Sequence, residues 1–195
     1  MCGQFAVLGS VKAIKDYYEF LKSSGFILDD DFYDYQFSGK INIPNENIKP
    51  MDYLPIITSK NGKIALMEAR WGLVPFWAKD TQIAYKTINA RIETLAEKPS
   101  YKYAFRERRC LIPATGFYEK DTQKQSHYFD MGDDESAGSK PFKSMAGLYE
   151  IWGKDMLVTF TIVTTSADER VKKIHDRMPV ILNEVEAVRW LTNIS

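Results

Sequence analysis

Apolar side chains recur at Val11, Ile14, Tyr17, Tyr18 and Leu21, one face of a helix that Ser10 caps and that the spacing carries through Leu21. The stretch from Asn42 to Pro55 holds Pro and Asn without a clear period and reads as irregular. The apolar segments Leu54 to Ser59 and Lys63 to Trp71 flank Asn61-Gly62, the strongest short-range hairpin signal, and predict two antiparallel strands. Arg91 to Glu97 and Tyr101 to Glu107 read as helices split by Pro99. Strands are expected at Cys110 to Pro113, Gly116 to Lys120, Ser126 to Asp130, Lys143 to Trp152 and Leu157 to Thr165, the last rich in β-branched residues. Gly132 to Lys140 reads as a surface loop, and Asp168 to Ile174 and Glu184 to Leu191 as short helices, the second opened by Asn183. With more strand than helix and no alternating strand–helix order, the pattern predicts an α+β fold. Its expected core is a mostly antiparallel or mixed sheet curled into a barrel-like form, flanked by short helices.

A chain of 195 residues that is 45% hydrophobic buries one sizeable core, so residues 1–195 are expected to form a single domain. Two cysteines, Cys2 and Cys110, with no signal peptide ahead of them, point to a reducing, cytoplasmic setting, nucleoid-associated if the source is bacterial. The early apolar run from Phe5 to Leu8 is far too short to span a membrane. Formal net charge is zero, which gives bulk electrostatics no preference for nucleic acid. Local clustering changes that picture. Between Lys86 and Arg109 seven basic residues face three acids, with Tyr85, Tyr101, Tyr103 and Phe105 among them. Interleaved cations and rings suit a nucleic-acid strand, and also suit a solvated helical face with its own core rings. The balancing acids sit in Asp29 to Asp34 and Asp130 to Glu135, so a basic face is expected.

Candidate chemistry begins at Cys2. Removal of Met1 would give Cys2 an α-amine and a thiol two carbons apart, with ordinary pKa values of about 7.7–8 and about 8.5. Such a pair can condense with an aldehyde and close a thiazolidine ring, or act in acyl transfer with the amine as base. Cys2 could equally be an early small residue. A zinc site needs about four closely spaced ligands, and Cys2, Cys110, His127 and His175 show no paired spacing, so neither metal nor cofactor is expected. Phosphate-loop, dinucleotide and serine-hydrolase motifs do not occur.

Five blocks carry a resemblance: Met1-Cys2-Gly3, Trp71 to Trp77, Ile88 to Thr94, Arg109 to Ala114 leading into Gly116 to Glu119, and Ile162 to Thr165 followed by Ile174 to Pro179. In this order, over nearly the whole chain, they resemble the SRAP (SOS response-associated peptidase) family of abasic-site processing proteins. The resemblance implies a protein that captures abasic sites in single-stranded DNA covalently, in the DNA damage (SOS) response, with an autoproteolytic activity that exposes Cys2. It implies Cys2 as nucleophile, Asn89 as holder of the linkage, Glu119 as proton relay in imine formation and His175 as assistant to sugar ring opening. An imine at the same carbon also allows β-elimination, hence lyase chemistry. Trp77 is the expected base or sugar contact, Arg91, Arg177, Arg106 and Arg109 the expected phosphate ligands, and Thr164 a phosphate hydroxyl. The expected partner is abasic single-stranded DNA, bound by a monomer.

Each of these residues also has a structural reading: Asn89 and Arg91 bracing a helix start, Glu119 at a strand edge, His175 in the core. The chain departs from the family pattern at Gln4, usually Arg, and at Lys120, usually Trp. The first removes a cation and the second an aromatic beside the expected pocket. Two other classes compete: an N-terminal-cysteine glutamine amidotransferase, alike only in Met1-Cys2-Gly3, and a non-catalytic single-stranded DNA-binding module.

Overall fold

In the computed structural model, residues 2–28, 30–132 and 142–192 are described. Among the described residues, twelve strands follow in chain order. They are β1 (Gln4–Val7), β2 (Asn45–Ile48), β3 (Tyr53–Lys60), β4 (Lys63–Trp71), β5 (Asn89–Arg91) and β6 (Arg109–Ala114), then β7 (Gly116–Lys120), β8 (Ser126–Asp130), β9 (Lys143–Trp152), β10 (Leu157–Ser166), β11 (Arg177–Pro179) and β12 (Ile181–Leu182). The helices are short: α1 (Val11–Tyr17), α2 (Phe20–Ser23), α3 (Asp30–Tyr33), α4 (Lys102–Glu107) and α5 (Glu184–Thr192).

The strands make two sheets. The small sheet has the order β2-β1-β7-β8, and every pairing in it is antiparallel. The large sheet runs β11-β10-β4-β3-β6-β9-β12, and a further β9–β10 pairing closes β10, β4, β3, β6 and β9 into a ring, with β11 and β12 outside it. Strand β10 takes β4 and β5 in parallel, which makes the sheet mixed. Ser144 to Leu148 in β9 and Thr159 to Thr164 in β10 are buried without alternation, as strands covered on both faces must be. Phe5 of β1 meets Trp71 of β4 edge-on at 5.1 Å, and Trp71 stacks on Phe160 of β10 at 6.4 Å, so three fully buried rings tie the small sheet to the ring. Cys110 is buried beneath α5, where the Trp190 indole donates to the Cys110 and Gly147 carbonyls at 3.1 and 3.2 Å.

Local signals act as physics requires. Ser10 Oγ accepts from the Ala13 amide at 3.2 Å and caps α1. Asn183 and Glu186 cap α5 reciprocally, each side chain accepting the other's amide at 2.9 Å. Asn61 and Gly62 take φ of 54° and 76°, the left-handed pair that a two-residue hairpin turn demands, and join β3 to β4 with Lys60 facing Lys63.

Four expectations are corrected. The first helix ends at Tyr17, and a separate turn of helix covers Phe20–Ser23. The irregular stretch from Asn42 contains β2 and the start of β3. Arg91 to Glu97 is not a helix: Asn89–Arg91 pair with β10 as β5, and only Ile92–Thr94 forms a 3₁₀ turn. Asp168 to Ile174 contributes only the 3₁₀ turn Val171–Lys173. Of the expected surface loop, Asp133 to Lys140 lies outside the described residues.

Candidate active site

Cys2 enters the core because β1 does. Antiparallel pairing of Gln4 with Tyr118 and of Phe5 with both Phe117 and Ile48 fixes the strand, and the Phe5–Trp71 contact draws its start inward. Cys2 is fully buried, and its thiol donates to the Gln4 carbonyl at 3.5 Å. Burial first, and the nearby Glu119 charge second, push that thiol up to about 12. In this state Cys2 holds its proton.

Asn89 reaches Cys2 from the other sheet. Its side-chain amide donates to the Cys2 carbonyl at 2.7 Å. Three contacts hold its backbone. The Trp71 indole donates to the Ile88 carbonyl at 2.8 Å, the parallel register sets Asn89 opposite Ile162, and the Tyr101 hydroxyl donates to the Asn89 carbonyl at 3.1 Å. Burial pushes the Tyr101 phenol up to about 12, so it remains a donor through the physiological range.

Glu119, on β7 beside Tyr118, is 2% exposed. Burial raises its carboxyl above the usual range. His175 follows the 3₁₀ turn, its amide bonded to the Val171 carbonyl at 2.9 Å. The neutral imidazole accepts the Arg177 amide on Nδ1 at 3.0 Å, which leaves the proton on Nε2. The same Nδ1 stands 3.1 Å from Asp176 Oδ1. Glu119 and His175 open onto a cleft of about 610 Å³ that Gly3, Gln4, Lys49 and Lys120 also line. Glu119 and His175 thus face this opening, while Cys2 and Asn89 lie behind it, joined to each other by the 2.7 Å bond and to Glu119 by its charge on the Cys2 thiol.

The expected DNA ligands separate into groups. Arg91 is exposed on β5. Trp77 and Arg106 border a second cleft, of about 460 Å³, with Phe76, Pro99, Lys102 and Tyr103. Trp77 is half exposed, and its indole donates to the Pro99 carbonyl at 3.3 Å. Three expectations of direct phosphate contact do not match the arrangement. The Arg177 guanidinium is enclosed, bidentate to Glu93 at 2.7 and 2.9 Å and donating to the Thr164 carbonyl at 2.8 Å. Thr164 is fully buried beneath it. Arg109 lies against Phe105 and Trp190, with its Nε donating to the Phe105 carbonyl at 2.8 Å.

Sequence reasoning missed Lys49 and the anchoring role of Tyr101. Lys49 has no motif around it, and only strand register brings it to the cleft. Tyr101 stands in the cluster of cations and rings, but its hydroxyl serves Asn89.

A family model described as SOS response associated peptidase (SRAP) matches residues 1–195. The abasic site processing protein YoqW of Bacillus subtilis (strain 168) is 36% identical over 194 residues, covering 98% of this chain and 80% of that protein. The abasic site processing protein HMCES of Xenopus tropicalis is 32% identical over 179 residues, covering 76% of this chain and 53% of that protein. A crystal structure of a Bacteroides thetaiotaomicron protein superposes with a TM-score of 0.72 at 26% identity, covering 97% of this chain and 81% of that one. Matched along its whole length by the family model, the chain belongs to the SRAP family.

Proposed function

We propose that this protein processes abasic sites in single-stranded DNA, trapping them on Cys2 once Met1 has been removed. The observation that carries the reading is the 2.7 Å bond from Asn89 to the carbonyl of Cys2, whose neighbour Gly3 lines the same cleft as Glu119 and His175. That bond holds Cys2 by its carbonyl and engages neither its nitrogen nor its sulfur. The relatives named as abasic site processing proteins support the same substrate.

The chemistry follows from the groups present. Hydrolysis of the Met1–Cys2 bond, the proposed autoproteolytic step, frees the α-amine. The amine adds to the C1′ aldehyde of the open abasic sugar, and the carbinolamine loses one water to give an imine. The Cys2 sulfur then adds to the imine carbon while its proton passes to nitrogen, closing a thiazolidine with no further by-product. Glu119, with its raised carboxyl, is suited to take the ammonium proton and return it to the departing hydroxyl. His175 presents an Nε2 proton for opening the sugar. If the thiol closes slowly, loss of the C2′ proton from the imine breaks the C3′–O bond, a lyase outcome. Arg91 supplies phosphate contact, and the cleft of Trp77 and Arg106 accommodates a flanking base.

Incubation of the Met1-free protein with an abasic single-stranded oligonucleotide, followed by denaturing electrophoresis, tests this. A retarded band is expected from the native protein and none from Cys2→Ala; an equally stable adduct from Cys2→Ala would sink the mechanism.

A further inference from the structure

The small sheet has an outer face that the trapping chemistry does not use. Phe5 pairs with Ile48 and Gln4 with Tyr118, so Lys49 and Tyr118 flank Gln4 on either side. Two residues along β7, Lys120 lies opposite Ser126, and Tyr118 lies opposite Tyr128. Gln4, Lys49, Tyr118, Lys120 and Ser126 all border the cleft that holds Glu119 and His175, so this face is continuous with the reaction site.

Two features make the face a binding surface. Lys49 and Lys120 are exposed, and neither ammonium has an ion pair with a described residue, so both charges are available to a polyanion. The Tyr118 and Tyr128 rings meet at 5.0 Å and 52°. Tyr128, 41% exposed, lies across Gly116: a Cβ at that position would stand 2.2 Å from its hydroxyl. An exposed ring pinned in this way loses little freedom when a base stacks on it. Toward the far end of β8, Asp130 pairs with Gly116 and places a negative charge beyond Tyr128, which confines a polyanion to the cleft side of the face.

Resting on the reading of the cleft as the abasic site, we infer that the outer face of the small sheet carries the DNA strand as it leaves that cleft. Lys49 and Lys120 hold its phosphates, and the Tyr118–Tyr128 pair takes a base.

The test uses single-stranded oligonucleotides with a tetrahydrofuran abasic analogue, which has no aldehyde. One set ends at the analogue, and others extend several nucleotides beyond it on the 5′ or the 3′ side. Fluorescence anisotropy across a salt series gives affinity and salt slope. Lys49→Gln with Lys120→Gln should lower the slope by about 0.7 per lysine on a single strand. Tyr128→Leu should weaken binding roughly 5- to 100-fold on one extended set, the loss vanishing on the oligonucleotide that ends at the analogue, and Tyr128→Phe should retain the affinity. Thermal melting of each variant shows that it is folded. An unchanged slope in the double lysine variant, or an equal Tyr128→Leu loss on every length, would overturn the track. Because the analogue cannot form an imine, these results do not depend on Cys2. A native protein that shows this pattern but never cross-links a true abasic strand would refute the trapping and leave the track standing.

Discussion

Glu93→Ala separates two roles for Arg177. If the guanidinium is structural, Glu93→Ala removes two charge-assisted bonds, at 2.7 and 2.9 Å, and leaves Arg177 with the Thr164 carbonyl and hydroxyl. Breaking a fully buried pair costs about 3–5 kcal/mol. The Glu93 side chain is 49% exposed and water can replace part of what is lost, which brings the expected cost down to about 2 kcal/mol. At about 2–4 °C per kcal/mol for a chain of this size, the melting temperature should fall by about 4–8 °C at pH 7. The sign with pH is fixed. The Arg177 bond holds the Glu93 carboxyl below its ordinary value, so its stabilisation is complete above the unfolded pKa, near 4.3, and is lost as pH falls through the folded one. Melting curves of native and variant protein should therefore converge in acid. DNA affinity gives the second readout, because a phosphate-binding Arg177 would be released by Glu93→Ala and would bind more tightly. Unchanged melting together with stronger DNA binding would refute the structural assignment.

Three other residues give testable outcomes. Ser10→Ala removes the acceptor for the Ala13 amide and should cost about 1 kcal/mol in chemical denaturation, with no change in cross-linking. Glu119→Gln should slow adduct formation by about 10²–10⁴ and abolish an inflection that the native pH–rate profile shows above the ordinary carboxylate range, so an identical inflection in the variant would exonerate Glu119. Because its folded pKa is raised, native Glu119 loses stabilisation as pH rises through that value, and the Gln variant should gain on it in alkaline melts. With its pKa near 12, the Cys2 thiol of the unprocessed chain should alkylate at pH 8 about 10³-fold more slowly than an ordinary cysteine, as followed by intact mass.

Parts of the fold were legible because a few residues decide them. Asn61-Gly62 dictates its hairpin through positive φ, Ser10 and Asn183 open their helices, and the β-branched run from Leu157 marks β10. Of the strands that build the site, β7 was legible and β1, β2 and β5 were not. Strands β1 and β2 are four residues each, and their partners lie far along the chain: Gln4 pairs with Tyr118 and Phe5 with Ile48. Neither strand carries enough period to be seen alone. Ile92 and Leu95 mimic one helical turn, yet the residues just before them, Asn89–Arg91, are drawn into parallel pairing with β10, a long-range preference that local spacing does not report.

The same division runs through the site. Cys2, Asn89, Glu119 and His175 could be named as candidates because the ordered blocks of the family resemblance carry them. The cations could not be sorted that way. Arg91 and Arg177 look alike in sequence, but Glu93, 84 residues from Arg177, encloses one while the other stays exposed. Arg109 is spent on Phe105 and Trp190. Lys49, which no motif marks, reaches the cleft because Ile48 pairs with Phe5. A positive charge binds phosphate only where the fold has not already given it a partner. Its availability is therefore a property of register and packing, and the residues nearest in sequence to a recognised motif have no advantage over those brought there by a neighbouring strand.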